Sequence, residues 1–401
     1  MSTLFANGRI FDGTERLAVG EILVADGRIR EVGTDLDGDE IIDLGGRAIL
    51  PGFFDCHVHV VISHVDLGRL AHEPFSLQFY EAARNLRATL HAGITTVRDA
   101  GGADLGVKEA LARGYISGPR LLISLDMLTQ TGGHGDGWQA SGNVSRLFVP
   151  HPGRPATLVD GPDEMRRKVR ELARAGADVI KVATSGGVLS PRDNPRHAHF
   201  SIEELEVLVA EAASAGLWVM AHAQATEGIK NAIRAGIRSI EHGIYLDDEA
   251  IEMMLDRGTF LVPTLVAPTG VKKAAAAGAA IPEAAVRKAD EVIEVHRDSF
   301  RRAVAAGVKV AMGTDSGVTP HGDNLEELSL MAAEGMDPAE VLRATTRHGA
   351  ELLGVDGGRL EPGERADLVV IDGDPFSFEG LRDRIVAVYQ EGALAAGGLD
   401  P

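Results

Sequence analysis

The first 50 residues show short runs of alternating apolar and polar positions, which is the pattern of half-buried strands. These runs are separated by the pairs Asn7-Gly8, Asp12-Gly13 and Asp26-Gly27. Pairs of this kind are the strongest short-range signal for a β-hairpin. The sequence therefore predicts several short strands, with one strand ending and another beginning at each pair.

The other end of the chain has the same pattern of short strands and turns. Strand and turn patterns return over 366–375 and 385–389. Because chain termini usually lie close together, we expect the two ends to pair. The sequence predicts a small β-sandwich domain composed of 1–51 and 357–401.

The middle of the chain, 52–356, alternates apolar runs of strand length with amphipathic runs of helical period. Eight strands that alternate with helices predict an α/β protein with a (β/α)8 TIM barrel. Repeated Ala-Gly pairs end a helical run just before the next strand. The predicted strands are 53–60, 94–99, 120–125, 178–184, 217–222, 237–242, 259–264 and 308–314.

Composition narrows the class of protein. A hydrophobic fraction of 44% with 48 glycines fits a globular α/β protein. The sequence shows no long apolar run and no signal-peptide pattern, which argues against a membrane protein, and we expect no membrane partner. The single cysteine, Cys56, fits a cytoplasmic protein, and we interpret it as structural. The net charge of −19 argues against nucleic acid and favours a small molecule or dipeptide. The sequence leaves a homo-oligomer open.

The first candidate chemistry is the pair His57 and His59, which ends the first predicted barrel strand. Alternate side chains of a strand point to the same face, so both imidazoles can face one ion. Cys56 points to the opposite face. Two solvated histidines would give the same pattern, and the rest of the chain decides between these readings.

Four other polar residues stand at the ends of predicted strands, where catalytic groups of a barrel lie. Lys181 lies within an apolar strand, where burial lowers a lysine pKa. One interpretation is a neutral amine that reacts with carbon dioxide to form a carbamate. The alternative is a lysine paired with a buried carboxylate. His222, His242 and Asp315 end the fifth, sixth and eighth strands. Each alone is compatible with a core or capping role.

Taken together, these residues make the chain resemble the amidohydrolase superfamily over nearly its whole length. The resemblance implies a binuclear metal site. It implies two divalent ions, with zinc favoured by the nitrogen and oxygen ligands, and a carboxylated Lys181 that bridges them. The implied ligands are His57, His59 and Asp315 for one ion, His222 and His242 for the other, and Lys181 for both.

The implied reaction is hydrolysis of an amide by a hydroxide shared between the ions, with Asp315 moving the proton to the leaving amine. The flanks of His134, Lys181 and His242 resemble the peptidase-like branch, which includes prolidase-type and arginine or lysine carboxypeptidase-like enzymes, and imidazolonepropionase-related members. Such enzymes cleave an amide next to a C-terminal residue. Gln224 replaces an aromatic residue of several prolidase-like relatives, which puts a proline preference in doubt.

Substrate contacts are expected in the loops that follow the strands. The Gly-rich segment 126–162 is long, and long loops in compact domains are usually functional. His134 is interpreted as a hydrogen-bond donor to the substrate carbonyl or carboxylate, and a solvated loop histidine is the alternative. The candidate substrate-binding residues are His134, Ser185, Gly186, Gly187, Arg192, Arg196 and His321.

Three functions remain open at this point. The first is an amide hydrolase acting on a dipeptide or an N-acyl amino acid, which the sequence favours. The second is deamination, or hydrolysis of a lactam, ester or carbamate, at the same metal site. The third is a scaffold without catalysis, which the presence of all six implied ligands disfavours.

Overall fold

The computed structural model describes residues 1–14, 17–70, 72–190 and 192–399. The strands are β1 (Ser2–Ile10), β2 (Ala18–Ala25), β3 (Arg28–Gly33), β4 (Glu40–Asp43), β5 (Ala48–Pro51), β6 (Phe53–Val58), β7 (Ile94–Asp99), β8 (Arg120–Ile123), β9 (Met127–Leu128), β10 (Ile180–Ala183), β11 (Val219–Ala223), β12 (Ser239–His242), β13 (Phe260–Val262), β14 (Leu368–Ile371), β15 (Ile385–Gln390) and β16 (Ala393–Gly397).

The helices alternate with the strands in the middle of the chain. They are α1 (Leu67–Leu70), α2 (Leu77–His91), α3 (Leu105–Ala112), α4 (Pro162–Arg174), α5 (Ile202–Ser214), α6 (Thr226–Ala235), α7 (Asp248–Arg257), α8 (Val266–Ala276), α9 (Glu283–Ala306), α10 (Glu326–Ala333), α11 (Pro338–Ala344) and α12 (Arg347–Leu353), with a 3-10 helix over Leu381–Arg384. Among the described residues, no helix is both long enough and apolar enough to cross a membrane.

Strands from both ends of the chain form one eight-stranded sheet, in the order β16-β15-β14-β5-β1-β2-β3, with β4 beside β1. The two ends meet where β14 runs antiparallel to β5. Both ends also supply buried side chains to one cluster, among them Phe5, Ile22 and Tyr389. The predicted boundaries 1–51 and 357–401 stay predictions, and positions 400 and 401 lie outside the described residues.

One predicted turn in this sheet is correct and another is wrong. Asp26 and Gly27 adopt positive φ values of 54° and 73° between β2 and β3, as a tight hairpin requires. Asn7 also has a positive φ, but β1 continues through it. The register of β1 against β2 shifts between Phe5 and Gly8, so the pair makes a β-bulge. Asn7 therefore adopts the left-handed conformation, but the chain does not reverse its direction there.

The middle of the chain forms two parallel sheets, β6-β7-β8 and β9-β10-β11-β12-β13. Seven of the eight predicted strands therefore exist, and β9 is an additional short one. The eighth, 308–314, has no strand along its described length and makes a single parallel bridge between Val310 and Leu261. The coarse prediction of a mixed α/β fold is confirmed.

Backbone hydrogen bonds connect these two sheets at both edges. The segment 308–314 bonds to β13, where Ala311 N donates to Leu261 O at 3.0 Å, and to β6, where Cys56 N donates to Met312 O at 2.8 Å. At the other edge, Asp178 N donates to Ile123 O at 2.8 Å. The main apolar core lies between these strands and the surrounding helices.

Several helices in the middle of the chain have well-defined ends. α5 begins with a capping box, in which Ser201 and Glu204 satisfy each other's backbone amides. α6 and α9 end at Gly236 and Gly307, both in the left-handed conformation. The predicted role of the Ala-Gly pairs is thus confirmed at these positions.

Candidate metal centre and substrate cavity

His57 and His59 point their Nε2 atoms to one place at the end of β6. His57 Nδ1 donates to Glu241 Oε2 at 2.7 Å, and His59 Nδ1 donates to the carbonyl of Gly101 at 2.8 Å. Their Nε2 atoms then lie 3.6 and 3.1 Å from Asp315 Oδ1. Ligand atoms of the three residues all fall within 4.8 Å of one another, so they form a group that can hold a metal ion.

Asp315 follows the eighth predicted strand with a positive φ of 59°. A non-glycine residue in this conformation is strained, and such strain is found at functional sites. Its backbone amide donates to His57 O at 2.7 Å, which fixes the turn against β6. Burial raises the pKa of Asp315, but the hydrogen bond from His59 and the electrostatic effects of His57, His59 and His242 together hold the pKa well below its usual value.

Lys181 is 2% exposed, on β10, and its Nζ has no hydrogen-bond partner among the described residues. Burial lowers its pKa to about 8. The alternative reading, a lysine paired with a buried carboxylate, is not what the described residues show. A buried amine without a partner points to a group that the protein itself does not supply.

His222 and His242 complete the set at the ends of β11 and β12. The imidazole rings run in a row from His59 to His57, His242, His222 and His134, with centroid separations of 5.6, 5.1, 4.7 and 4.2 Å. Burial lowers the pKa of His242 to about 3, and that of His222 well below its usual value. Both rings are therefore neutral and can donate a lone pair to a metal.

These side chains have fixed orientations. His222 Nε2 donates to the Gly186 carbonyl at 3.1 Å, and His242 Nδ1 lies 2.7 Å from the hydroxyl of Thr264. The opposite nitrogens, Nδ1 of His222 and Nε2 of His242, are left for ligation. The six side chains form the candidate centre: His57, His59, Lys181, His222, His242 and Asp315.

A buried layer beneath the candidate centre was missed in the sequence. Glu241, which accepts the hydrogen bond of His57, also receives both Arg98 Nη2 contacts at 2.9 Å. Arg98 and Glu241 are fully buried. Asp55 accepts from the backbone amides of His57 and Thr314, both at 3.1 Å. One signal in the sequence could have identified this layer. Arg98 is a charged residue inside a buried strand, as Lys181 is.

A cavity of about 250 Å³ opens above the candidate centre. His134 lines it and stacks on His222. His134 Nδ1 lies 2.7 Å from Ser190 Oγ and 3.2 Å from Asp193 Oδ2, so its Nε2 is the nitrogen left for a substrate. Gly187 permits this stacking, because a Cβ there would lie 2.1 Å from the His134 ring.

The other predicted substrate residues are placed unevenly. Arg192 lines the cavity. The Ser185 hydroxyl donates to the Gly186 carbonyl, Gly186 N donates to His197 O, and Gly187 N donates to Asp193 Oδ2. These backbone amides are therefore engaged within the protein and do not form the expected anion site.

Arg196 and His321 contact other groups of the protein and are not among the residues that line the cavity. The Arg196 guanidinium lies over the Tyr245 ring at 4.2 Å. His321 Nε2 donates to the carbonyls of His59 and Ile62 at 3.2 and 3.0 Å, which supports the loop after β6. Gln224, where the sequence departs from prolidase-like relatives, lines the cavity, and its Oε1 has no hydrogen-bond partner in the described part of the chain. Cys56 is buried, as expected of a structural cysteine.

Comparison with known proteins identifies the family of the chain. The model of the amidohydrolase family matches residues 48–395. An ochratoxinase of Aspergillus niger is 35% identical over 360 residues, covering 86% of this chain and 72% of that protein. An imidazolonepropionase of Paracoccus denitrificans is 29% identical, covering 88% of each chain. A crystal structure of a Xaa-Pro dipeptidase with methionine bound in its active site superposes with a TM-score of 0.90 at 32% identity, covering 99% of this chain and 100% of that one.

Proposed function

The chain belongs to the amidohydrolase family and is a hydrolase acting on C–N bonds, and we propose that it uses two metal ions to cleave an amide next to a C-terminal residue. The substrate would be a dipeptide or an N-acyl amino acid. The observation that carries this proposal is the buried Lys181 Nζ, which has no partner among the described residues and shares the cavity wall with four imidazoles and the Asp315 carboxylate.

This donor set fits two divalent ions. His57, His59 and Asp315 would hold one ion, and His222 and His242 the other. Lys181 would react with carbon dioxide to give a carbamate, whose two oxygens serve both. A pKa of about 8 leaves a reactive neutral fraction of the amine at neutral pH. Nitrogen and oxygen ligands suit zinc, and when bound such ions lower the pKa of water to about 7 and polarise a carbonyl.

The protein's own side chains handle the proton and the substrate. Asp315 takes a proton from the attacking water and delivers it to the leaving amine, a role that suits a carboxylate kept ionised by His59. His134 Nε2 donates to the substrate carbonyl or carboxylate, while Asp193 and Ser190 hold the ring.

The fold that supports this site is, in our proposal, a closed (β/α)8 barrel with a β-sandwich built from both termini. The hydrogen bonds at both edges of the two parallel sheets support closure. The amidohydrolase neighbours superpose over almost the entire chain, which supports the same architecture.

The test is a screen of zinc-loaded protein against N-acetyl amino acids, L-alanyl dipeptides, lactams, esters and carbamates. We expect kcat/KM for the free acids to exceed that for their carboxamides by at least about a hundredfold, because a polar site rejects a substrate that leaves its donors unpaired. Equal rates on acids and carboxamides, or hydrolysis restricted to lactams, esters or carbamates, would contradict the proposal. Protein treated with a chelator is the control.

A further inference from the structure

One arginine at the cavity is not explained by contacts within the protein. Arg146 lines the cavity, and its buried Nε has no hydrogen-bond partner in the described ranges. Two other arginines nearby make side-chain contacts within the protein, although the Arg154 Nε also has no partner among the described residues. Arg192 stacks on Trp138 at 5.0 Å, and Arg154 donates to the carbonyl of Gly102. A buried donor without a partner costs free energy unless a ligand or water satisfies it.

Arg146 is held at the cavity by a hairpin over 137–145, which we name the rim hairpin. Trp138 and Val144 form an antiparallel bridge, and Ser145 N donates to Gly137 O at 2.8 Å. Gly137 has a φ of 72°, and a Cβ there would lie 2.4 Å from the Ser145 carbonyl oxygen. The long segment that the sequence suggested was structureless therefore has a defined turn that presents Arg146.

The charge of Arg146 acts on one buried carboxylate of the cavity wall. Asp126 is the buried carboxylate on this wall. Burial raises its pKa to about 6, and the charges of Arg154 and Arg146 act against that increase. Arg154 also faces the charges of Asp99 and Asp104, and Asp126 accepts from the Met127 amide at 2.7 Å. An anionic ligand would give Arg146 the acceptor that its Nε lacks.

Another part of the cavity wall is apolar. Ile244, Val271 and Val318 line the cavity after β12, β13 and the eighth predicted strand. Ile244 and Val271 belong to one buried apolar cluster, and Val318 packs against it. The cavity therefore has an apolar patch as well as the guanidinium of Arg146.

We propose that Arg146 binds the carboxylate of an N-acyl amino acid or dipeptide, and that the substrate's side chain is apolar and lies against Ile244, Val271 and Val318. The inference rests on the proposed amide hydrolase function and names its substrate class. A guanidinium can bind a carboxylate through two parallel hydrogen bonds, which fixes its orientation as well as its affinity. Removal of the substrate's apolar side chain from water against these three residues also favours binding.

The experiment compares Arg146→Gln with the wild type on N-acetyl-L-leucine, its carboxamide, L-alanyl-L-leucine and N-acetyl-L-aspartate, with zinc-loaded protein. We expect Arg146→Gln to lower kcat/KM on the two leucine acids about a hundredfold and to leave the carboxamide rate within a few-fold, so that the preference for acids disappears. Arg146→Lys, which keeps the charge and loses the fork, should retain part of that preference. In the wild type, leucine should exceed aspartate at least about tenfold.

Controls separate the failure of this inference from the failure of the proposed function. Arg113→Gln removes an exposed, ion-paired arginine just after the C-terminus of α3 and should behave as wild type. If wild-type enzyme hydrolyses neither leucine acid, both proposals fail. If it hydrolyses them and Arg146→Gln keeps the preference for acids, or Arg192→Gln removes it instead, only the assignment of Arg146 fails. An aspartate rate equal to the leucine rate overturns the apolar half of the inference.

Discussion

The candidate centre and the rim of the cavity are built in different ways. His57, Lys181, His222 and His242 are 1–6% exposed, and they stand on strands or strand ends that hydrogen-bond to neighbours. The rim hairpin is supported by a few backbone bonds, and its Trp138 is 48% exposed. Changes at the centre should therefore abolish chemistry, whereas changes at the rim should alter which substrate is accepted.

The largest effect is expected from Lys181→Ala. Without the carbamate the two ions lose their shared anion, so we expect loss of most bound zinc and of measurable turnover. Elemental analysis and a hydrolysis assay check this, and short carboxylates in excess should restore part of the activity. Lys168→Ala, on α4 with its ion pair to Glu171, is the matched control. A Lys181 variant that keeps two metals and near-wild-type turnover would contradict the bridging role.

The next largest effect is expected from Asp315→Asn, which keeps the size of the side chain and removes the proton acceptor. Zinc should largely remain, while kcat and kcat/KM fall together by about 10²–10⁴-fold, as is typical for loss of a general acid–base. Steady-state kinetics at saturating zinc measure this. An increase in KM alone would instead assign Asp315 to substrate binding.

The layer beneath the centre should show a smaller effect. Glu241→Gln weakens the acceptor of the His57 Nδ1 hydrogen and leaves Arg98 without its buried counter-charge. We expect zinc affinity to fall about 10–100-fold, as measured by competition with a chelator. Glu211→Gln, whose partners lie on the surface, is the control. Wild-type zinc affinity in Glu241→Gln would show that this layer does not orient His57.

The same contrast explains what the sequence could and could not predict. His222 and His242 lie at or near strand ends and Lys181 lies within a buried strand, so the order of strands singled these residues out, and the family resemblance grouped them. The segment of the eighth predicted strand lies beside β13, as the isolated bridge at Val310 shows, but it does not form a regular strand. Partners across 143 residues, as between Arg98 and Glu241, leave no local pattern. The engaged amides of Gly186 and Gly187 depend on how the loop folds back, which composition does not encode.

The smallest effect is expected at the support of His134. Burial raises the pKa of Asp193, but the hydrogen bonds from His134 and Ser190 and the charge of Lys288 lower it to about 2. A carboxyl with a lowered folded pKa stabilises the protein above its unfolded pKa, near 4, and this stabilisation is lost as the pH falls towards 2.

Asp193→Asn should therefore destabilise the protein by about 2 kcal/mol at pH 6 and by progressively less towards pH 3, as urea unfolding at a series of pH values would measure. Because the His134 ring is then held less firmly, KM should rise while bound zinc stays unchanged. A stability difference that grows as the pH falls would contradict this account of Asp193.

The central claim is that six side chains on five strand ends hold two ions through Lys181. Titration of metal-free protein with zinc, followed by elemental analysis after removal of free metal, tests it most directly. We predict two zinc ions per chain in the wild type, with carbon dioxide required for full loading. A saturating stoichiometry of one, unchanged by carbon dioxide, would contradict the claim.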